Sequence, residues 1–278
     1  MDQLKASFCL KVATLHRSRD RCPHFADDVW KQAFERARKA TKRTTIFIDA
    51  GQHVHLKAKC RGTLVEVTDA NYQNLLTQYH QVFRVEIKLD DFDHRQDQCN
   101  YEDILRFMRP FMNVYELHVK LHRGSRAMFN FLQPILDQLP KESYRSVTMD
   151  YCGLAASCFL RNVFRNSQLF YLNLEADWPE SFIRSTETVL RYHPLRNIYL
   201  SGSPQLRIGM ETFTNLMIRL SDDEDHRPYQ CFLYCNGSYS SLKRFLTEFQ
   251  RKVSRRSMAS HKTISWEMEQ DKVVEIYI

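Results

Sequence analysis

Histidine and cysteine are the side chains here best suited to ligate a metal or to act as nucleophiles, and three groups of them stand out. His53 and His55 lie two apart, with Cys60 five further on. These atoms are ones zinc would accept, but their spacing matches no established zinc pattern. Exposed histidines on a solvated strand account for them better. His118 and His122 are four apart and have no third ligand at a set distance. Cys231 and Cys235 have the same parity in the run Gln230–Cys235, which suits the apolar inner face of a strand better than a redox pair. The eight cysteines include no Cys-x-x-Cys, so reduced thiols in a cytoplasmic or nuclear setting are expected. Phosphate-binding glycine loops, Gly-x-Ser-x-Gly and His-Glu-x-x-His are all absent. The expectation is a non-enzymatic protein with no cofactor and no metal.

The elements that would position these side chains are far more legible. Five short strand-like runs recur, each followed by a turn signal and an amphipathic helix: Tyr115–Leu121, Ser146–Tyr151, Phe170–Leu174, Arg196–Leu200 and Gln230–Cys235. With Leu117, Val147, Leu172, Ile198 and Leu233 as equivalent anchors, the steps are about 30, 25, 26 and 35 residues, within the range of repeat architectures. Only seven glycines are present, and Gly124, Gly153, Gly202 and Gly237 fall just beyond a repeat strand, where a sharp strand-to-helix turn favours a residue tolerant of positive φ. The third repeat uses Asp177-Trp178-Pro179 instead. Apolar residues spaced three and four apart give each repeat one helical stripe, for example Phe159, Leu160, Val163 and Phe164, or Leu242, Phe245, Leu246, Phe249 and Val253. Strands alternating with such helices favour a parallel sheet. The predicted fold is α/β: an irregular leucine-rich-repeat-like solenoid with parallel strands over residues 84–278, ending in a strand pair.

Residues 1–83 are organised differently. Leu4–His16 and Phe25–Lys42 have helical patterns. Thr44–Asp49 and His53–Ala58 alternate around Ala50-Gly51-Gln52, a hairpin signal. A short strand at Thr63–Val67, a helix at Asn71–Tyr79 and a further strand at Arg84–Leu89 follow. Residues 1–60 carry the whole formal excess of +7, the remainder being balanced. A second basic cluster lies at Arg251, Lys252, Arg255, Arg256 and Lys262. No apolar run approaches the length of a membrane span, and the first residues lack a basic region followed by an apolar stretch, so neither membrane nor secretory targeting is expected.

Several segments resemble the nematode-expanded F-box-associated family. They are Met1-Asp2-Gln3-Leu4 with Phe8–Ala13 and Leu15, the helix with Val29–Phe34, Thr44–Ile48, and the closing Thr263–Met268 with Val273–Tyr277. The resemblance implies a substrate-recognition subunit of a cullin ubiquitin ligase, in which an F-box docks to a Skp-type adaptor and a second region binds substrate. The chain departs from that pattern at its start. An F-box is a three-helix unit opening with Leu-Pro, whereas Leu4 is followed by Lys5 and two helices precede the hairpin. In residues 1–83 the F-box is therefore degenerate or absent.

Period-two alternation then names a surface. With Leu117, Val119, Val147, Met149, Leu172, Leu174, Ile198 and Leu200 directed inward, their neighbours face the other way. Glu116, His118, Lys120, Thr148, Asp150, Tyr171, Asn173, Glu175, Asn197 and Tyr199 would form a concave, mixed-charge face with two aromatic anchors, suited to a protein partner. The alternative is binding of nucleic acid or an acidic partner through the N-terminal and Arg251–Lys262 basic clusters. That requires the two clusters to share one continuous surface.

Overall fold

The computed structural model describes residues 28–40, 42–50, 54–60, 63–66, 80–89, 114–121, 129–142, 144–221, 229–248, 252–258, 261–268 and 272–278. Helix α1 (Asp28–Ala40) leads into strands β1 (Lys42–Ala50), β2 (Val54–Cys60) and β3 (Thr63–Glu66). Next come β4 (His80–Leu89), β5 (Glu116–Leu121), α2 (Phe129–Gln138), β6 (Ser146–Asp150), α3 (Leu154–Asn166) and β7 (Tyr171–Glu175). A 3-10 turn (Glu180–Phe182) opens α4 (Ile183–Tyr192), followed by β8 (Asn197–Tyr199), β9 (Arg207–Gly209), α5 (Met210–Ser221) and β10 (Gln230–Asn236). Helix α6 (Tyr239–Glu248) and strands β11 (Lys252–Met258), β12 (His261–Met268) and β13 (Lys272–Tyr277) complete the chain.

The strands form one sheet in the order β3-β2-β1-β4-β5-β6-β7-β8-β10-β13-β12-β11, with β9 pairing β10 off that path. Pairing is parallel from β1 to β13 and antiparallel in the outer strands at both ends. The architecture is thus α/β with a mostly parallel sheet. From β4 to β8, neighbours in space are neighbours in sequence. Right-handed crossovers that always advance in one direction place their helices on one face, and α2, α3, α4 and α5 touch in that order.

Under those helices lies a continuous apolar row. Ile46, Val85, Leu117, Val147, Leu172, Ile198, Cys231 and Val274 are in register across eight strands, and none has accessible surface. A second row runs through Ile48, Ile87, Val119, Met149 and Leu174, also fully buried. Each such aliphatic chain stabilises the fold by about 1.5–3 kcal/mol when it leaves water. All eight residues expected to face inward do so. The last anchor is displaced, however: Ile198 pairs with Cys231, not Leu233, which lies two positions further along the same face. The parity was right and the register was not.

Other sequence expectations shift as well. Helix α1 ends at Ala40 and β1 already begins at Lys42, so the last residue expected of that helix belongs to a strand. Val253, expected at the end of the last helix, lies on β11, because its four-residue spacing from Phe249 mimics a helical stripe. Strand β9 was not anticipated at all. The 83/84 boundary falls inside β4, which pairs with β1, so both segments contribute to one sheet. Helices expected at Leu4–His16 and Asn71–Tyr79 lie outside the described residues, as does Gly124.

The turn glycines prove to serve two purposes. Gly153 adopts φ 85°, the conformation expected of all four. Gly202 and Gly237 sit instead at close approaches: a Cβ would lie 3.2 Å from Glu175 Cα at the first and 2.7 Å from the flexible Met210 Sδ at the second. In the connection from β7 to α4, which has no glycine, Ala176 takes the left-handed conformation, at φ 58°. No helix among the described residues is long and apolar enough to cross a membrane.

Candidate interaction face

The side chains opposite the apolar rows form three in-register rows on the other face of the sheet. The first contains Arg84, Glu116, Ser146, Tyr171, Asn197, Gln230 and Val273. In the second, Glu86, His118, Thr148, Asn173, Tyr199, Phe232 and Glu275 follow one another. Fragments of the third pair Lys88 with Lys120, Asp150 with Glu175, and Tyr234 with Tyr277. All ten residues expected to face outward occupy this face by parity.

The face divides into a charged half and an aromatic half. On β4 and β5, Arg84 donates from Nε and Nη2 to Glu116 Oε2 at 2.9 and 2.7 Å, and Lys88 Nζ lies 3.6 Å from Glu86. His118 is half-buried among them, and its pKa falls below the ordinary value through burial first and then through the Arg84 charge. From β7 to β13 the surface is aromatic. Tyr171 and Tyr199 pack with ring centroids 5.4 Å apart, Tyr199 stacks on Phe232 at 5.2 Å and 10°, and the Tyr199 hydroxyl donates to Gln230 Oε1. Tyr234 packs on Tyr277 at 5.1 Å, beneath the Arg207 guanidinium at 5.5 Å. Asn173 donates from Nδ2 to Glu175 at 2.7 Å.

Two expected contact residues are not available for contact. Thr148 and Asp150 lie on this face but are buried, at 4% and 9% exposure. They are short chains between longer neighbours, with His118 and Asn173 flanking Thr148. Asp150 Oδ2 accepts the Leu121 N–H at 2.7 Å, while Oδ1 has no hydrogen-bond partner. Burial, ahead of the adjoining Glu175, raises its pKa. Conversely Phe232 and Tyr277 are partly exposed on the face and were missed, while Tyr234 shares the face but is buried, at 4% exposure. The alternation that places Leu233 inside would have placed Phe232 and Tyr234 outside.

Among the described residues the chemical candidates form no metal cluster. His55 and Cys60 sit five positions apart on β2, about 17 Å along the strand, too far to share one ion; His53 and His122 lie outside the described residues. Among the described residues, no three His, Cys, Asp or Glu side chains are placed to hold a metal. Cys231 and Cys235 are buried on the inner face. Burial holds both thiols in the protonated form, with Cys235 pushed up to about 12 and Cys231 raised as well. Neither is a ready thiolate nucleophile.

Compared with models of protein families, with curated proteins and with solved structures, the chain finds no match.

Proposed function

We propose that the chain is a non-enzymatic protein-interaction module of leucine-rich-repeat-like, solenoid construction, whose sheet face opposite α2–α5 binds a partner protein. The observation that carries this reading is the partly exposed aromatic row Tyr171–Tyr199–Phe232, held on a rigid in-register sheet. Aromatic side chains offer large contact area at low entropic cost, and a stacked row on strands is already organised for contact. The sequence-ordered strands β4 to β8 support the repeat reading. Kinship with F-box-associated substrate-recognition subunits, and with it a Skp-type adaptor as second partner, is a proposal resting on the sequence resemblance.

The alternative of nucleic-acid binding required the two basic clusters to join. The sheet order supports the opposite arrangement for the basic residues on its strands: Lys42, Arg43, Lys57 and Lys59 lie on β1 and β2 at one end, and Lys252, Arg255 and Arg256 on β11 at the other, on the order of 50 Å apart along the strands' neighbour direction. The test is affinity capture with mass spectrometry, using the intact chain and its Tyr171→Ala/Tyr199→Ala variant. A protein partner retained by the former and lost by the latter is the expected result. Equal retention by both sinks the reading.

A further inference from the structure

The aromatic half of the face has a charge pattern that narrows what it can bind. In the row Asn173–Tyr199–Phe232–Glu275, consecutive residues are in register on β7, β8, β10 and β13. At one end Asn173 holds the Glu175 carboxylate at 2.7 Å; at the other Glu275, two residues from Tyr277 on β13, faces the same side. Between these carboxylates lie Tyr199 and Phe232, stacked on each other so that each ring keeps its outer side free of the other. Of the cations described on this half, Arg207 already lies over Tyr234. The acids of the other half, Glu116 and Glu86, are matched by Arg84 and Lys88.

Resting on the interaction-face reading above, we infer that the segment bound here is basic: an extended stretch of a partner protein with two arginine or lysine residues four positions apart. Three strand spacings separate the ends of the row, about 14 Å. Four residues of extended chain span about the same length, with their alternate side chains on one side. A peptide crossing the strands would thus set one cation at Glu175, the other at Glu275, and the intervening side chain on Tyr199 and Phe232. Rings favour this arrangement, since a guanidinium is attracted to an aromatic face and makes charge-assisted hydrogen bonds to a carboxylate. An acidic segment would meet carboxylates at both ends.

The experiment is an amide NMR titration of the isotope-labelled full chain with two acetylated nonapeptides of serine and alanine. One carries arginines at its third and seventh positions, the other glutamates there. The arginine peptide is expected to shift amides of β7, β8, β10 and β13 saturably, and Glu175→Gln/Glu275→Gln to weaken it about tenfold. The glutamate peptide should leave those amides in place, although a net charge of +7 attracts it in general. Failure of the arginine peptide to bind, equal binding of both peptides, or unchanged affinity in the carboxylate variant overturns the inference. If the arginine peptide fails while a captured partner is still lost with Tyr171→Ala/Tyr199→Ala, only the basic segment is refuted. Retention of the partner by the tyrosine variant refutes the face itself.

Discussion

Phe232 lies opposite Tyr199 in the parallel pairing of β8 and β10, and the two rings stack 5.2 Å apart with planes 10° from parallel. Such a pair on a sheet surface contributes to stability, by about 0.5–1.5 kcal/mol beyond its buried area, and presents ring area to whatever docks. The two roles separate on mutation. Tyr171→Ala/Tyr199→Ala is expected to lower the melting temperature by only a few degrees, since neither residue is in the apolar core, while abolishing partner capture. Cooperative unfolding followed by circular dichroism measures the first, and a variant that is largely unfolded at 25 °C would make these rings core residues instead.

Asp150 gives a pH-dependent prediction. Burial, then Glu175, raises its folded-state pKa above the ordinary 3.8, with the Leu121 N–H and Lys120 opposing. A carboxyl with a raised folded pKa binds its proton more tightly in the folded chain, so its stabilisation is complete below pH 3.8 and is lost as pH rises through the folded value. Wild type bears that loss at pH 7. Asp150→Asn does not, and its amide oxygen still accepts the Leu121 N–H. The variant should melt higher at pH 7, with the difference shrinking as pH falls towards 4. Equal melting temperatures at pH 7 would contradict the assignment.

Tyr144 presents the same accounting for a hydroxyl. The side chain is fully buried, its ring packs edge-on to Phe159 at 6.2 Å, and its hydroxyl has no hydrogen-bond partner. A buried, unsatisfied polar group costs about 1–3 kcal/mol. Tyr144→Phe keeps the ring contact and removes that cost, so urea denaturation should show a gain on the order of 1 kcal/mol. A measurable loss would mean that the hydroxyl is satisfied in solution.

Much of this arrangement is legible in the residue order. Strand positions β5 to β8, the hairpin β1–β2 and the pair β12–β13 follow from alternation and turn signals, because one face of each strand is buried and the other is not. Register is harder to read. Leu233 and Cys231 are both apolar and both inward, and only the pairing of Ile198 with Cys231 distinguishes them. Strand β9, three residues long, is too short for a periodic signal. For the candidate face, Tyr171 and Tyr199 were visible because their strands alternate cleanly. Burial of Thr148 and Asp150 was not, since it depends on the reach of neighbours across the sheet rather than on their own strand.

The connection from β7 to α4, which has no turn glycine, gives the sharpest stability test. Trp178 follows the left-handed Ala176 by two residues and is the largest fully buried side chain described. Its Nε1–H donates to Met149 O at 3.2 Å, and its ring packs against Phe182 at 4.7 Å and Tyr151 at 5.3 Å. Trp178 therefore ties the loop after β7 to the end of β6 and to the 3-10 turn before α4. Trp178→Ala should cost about 3–5 kcal/mol through lost burial and the cavity left behind. Trp178→Phe, which keeps an aromatic ring and loses the indole donor to Met149 O, should cost less. Chemical denaturation of both variants decides the matter: an alanine loss below about 1 kcal/mol would mean that the loop repacks without the indole.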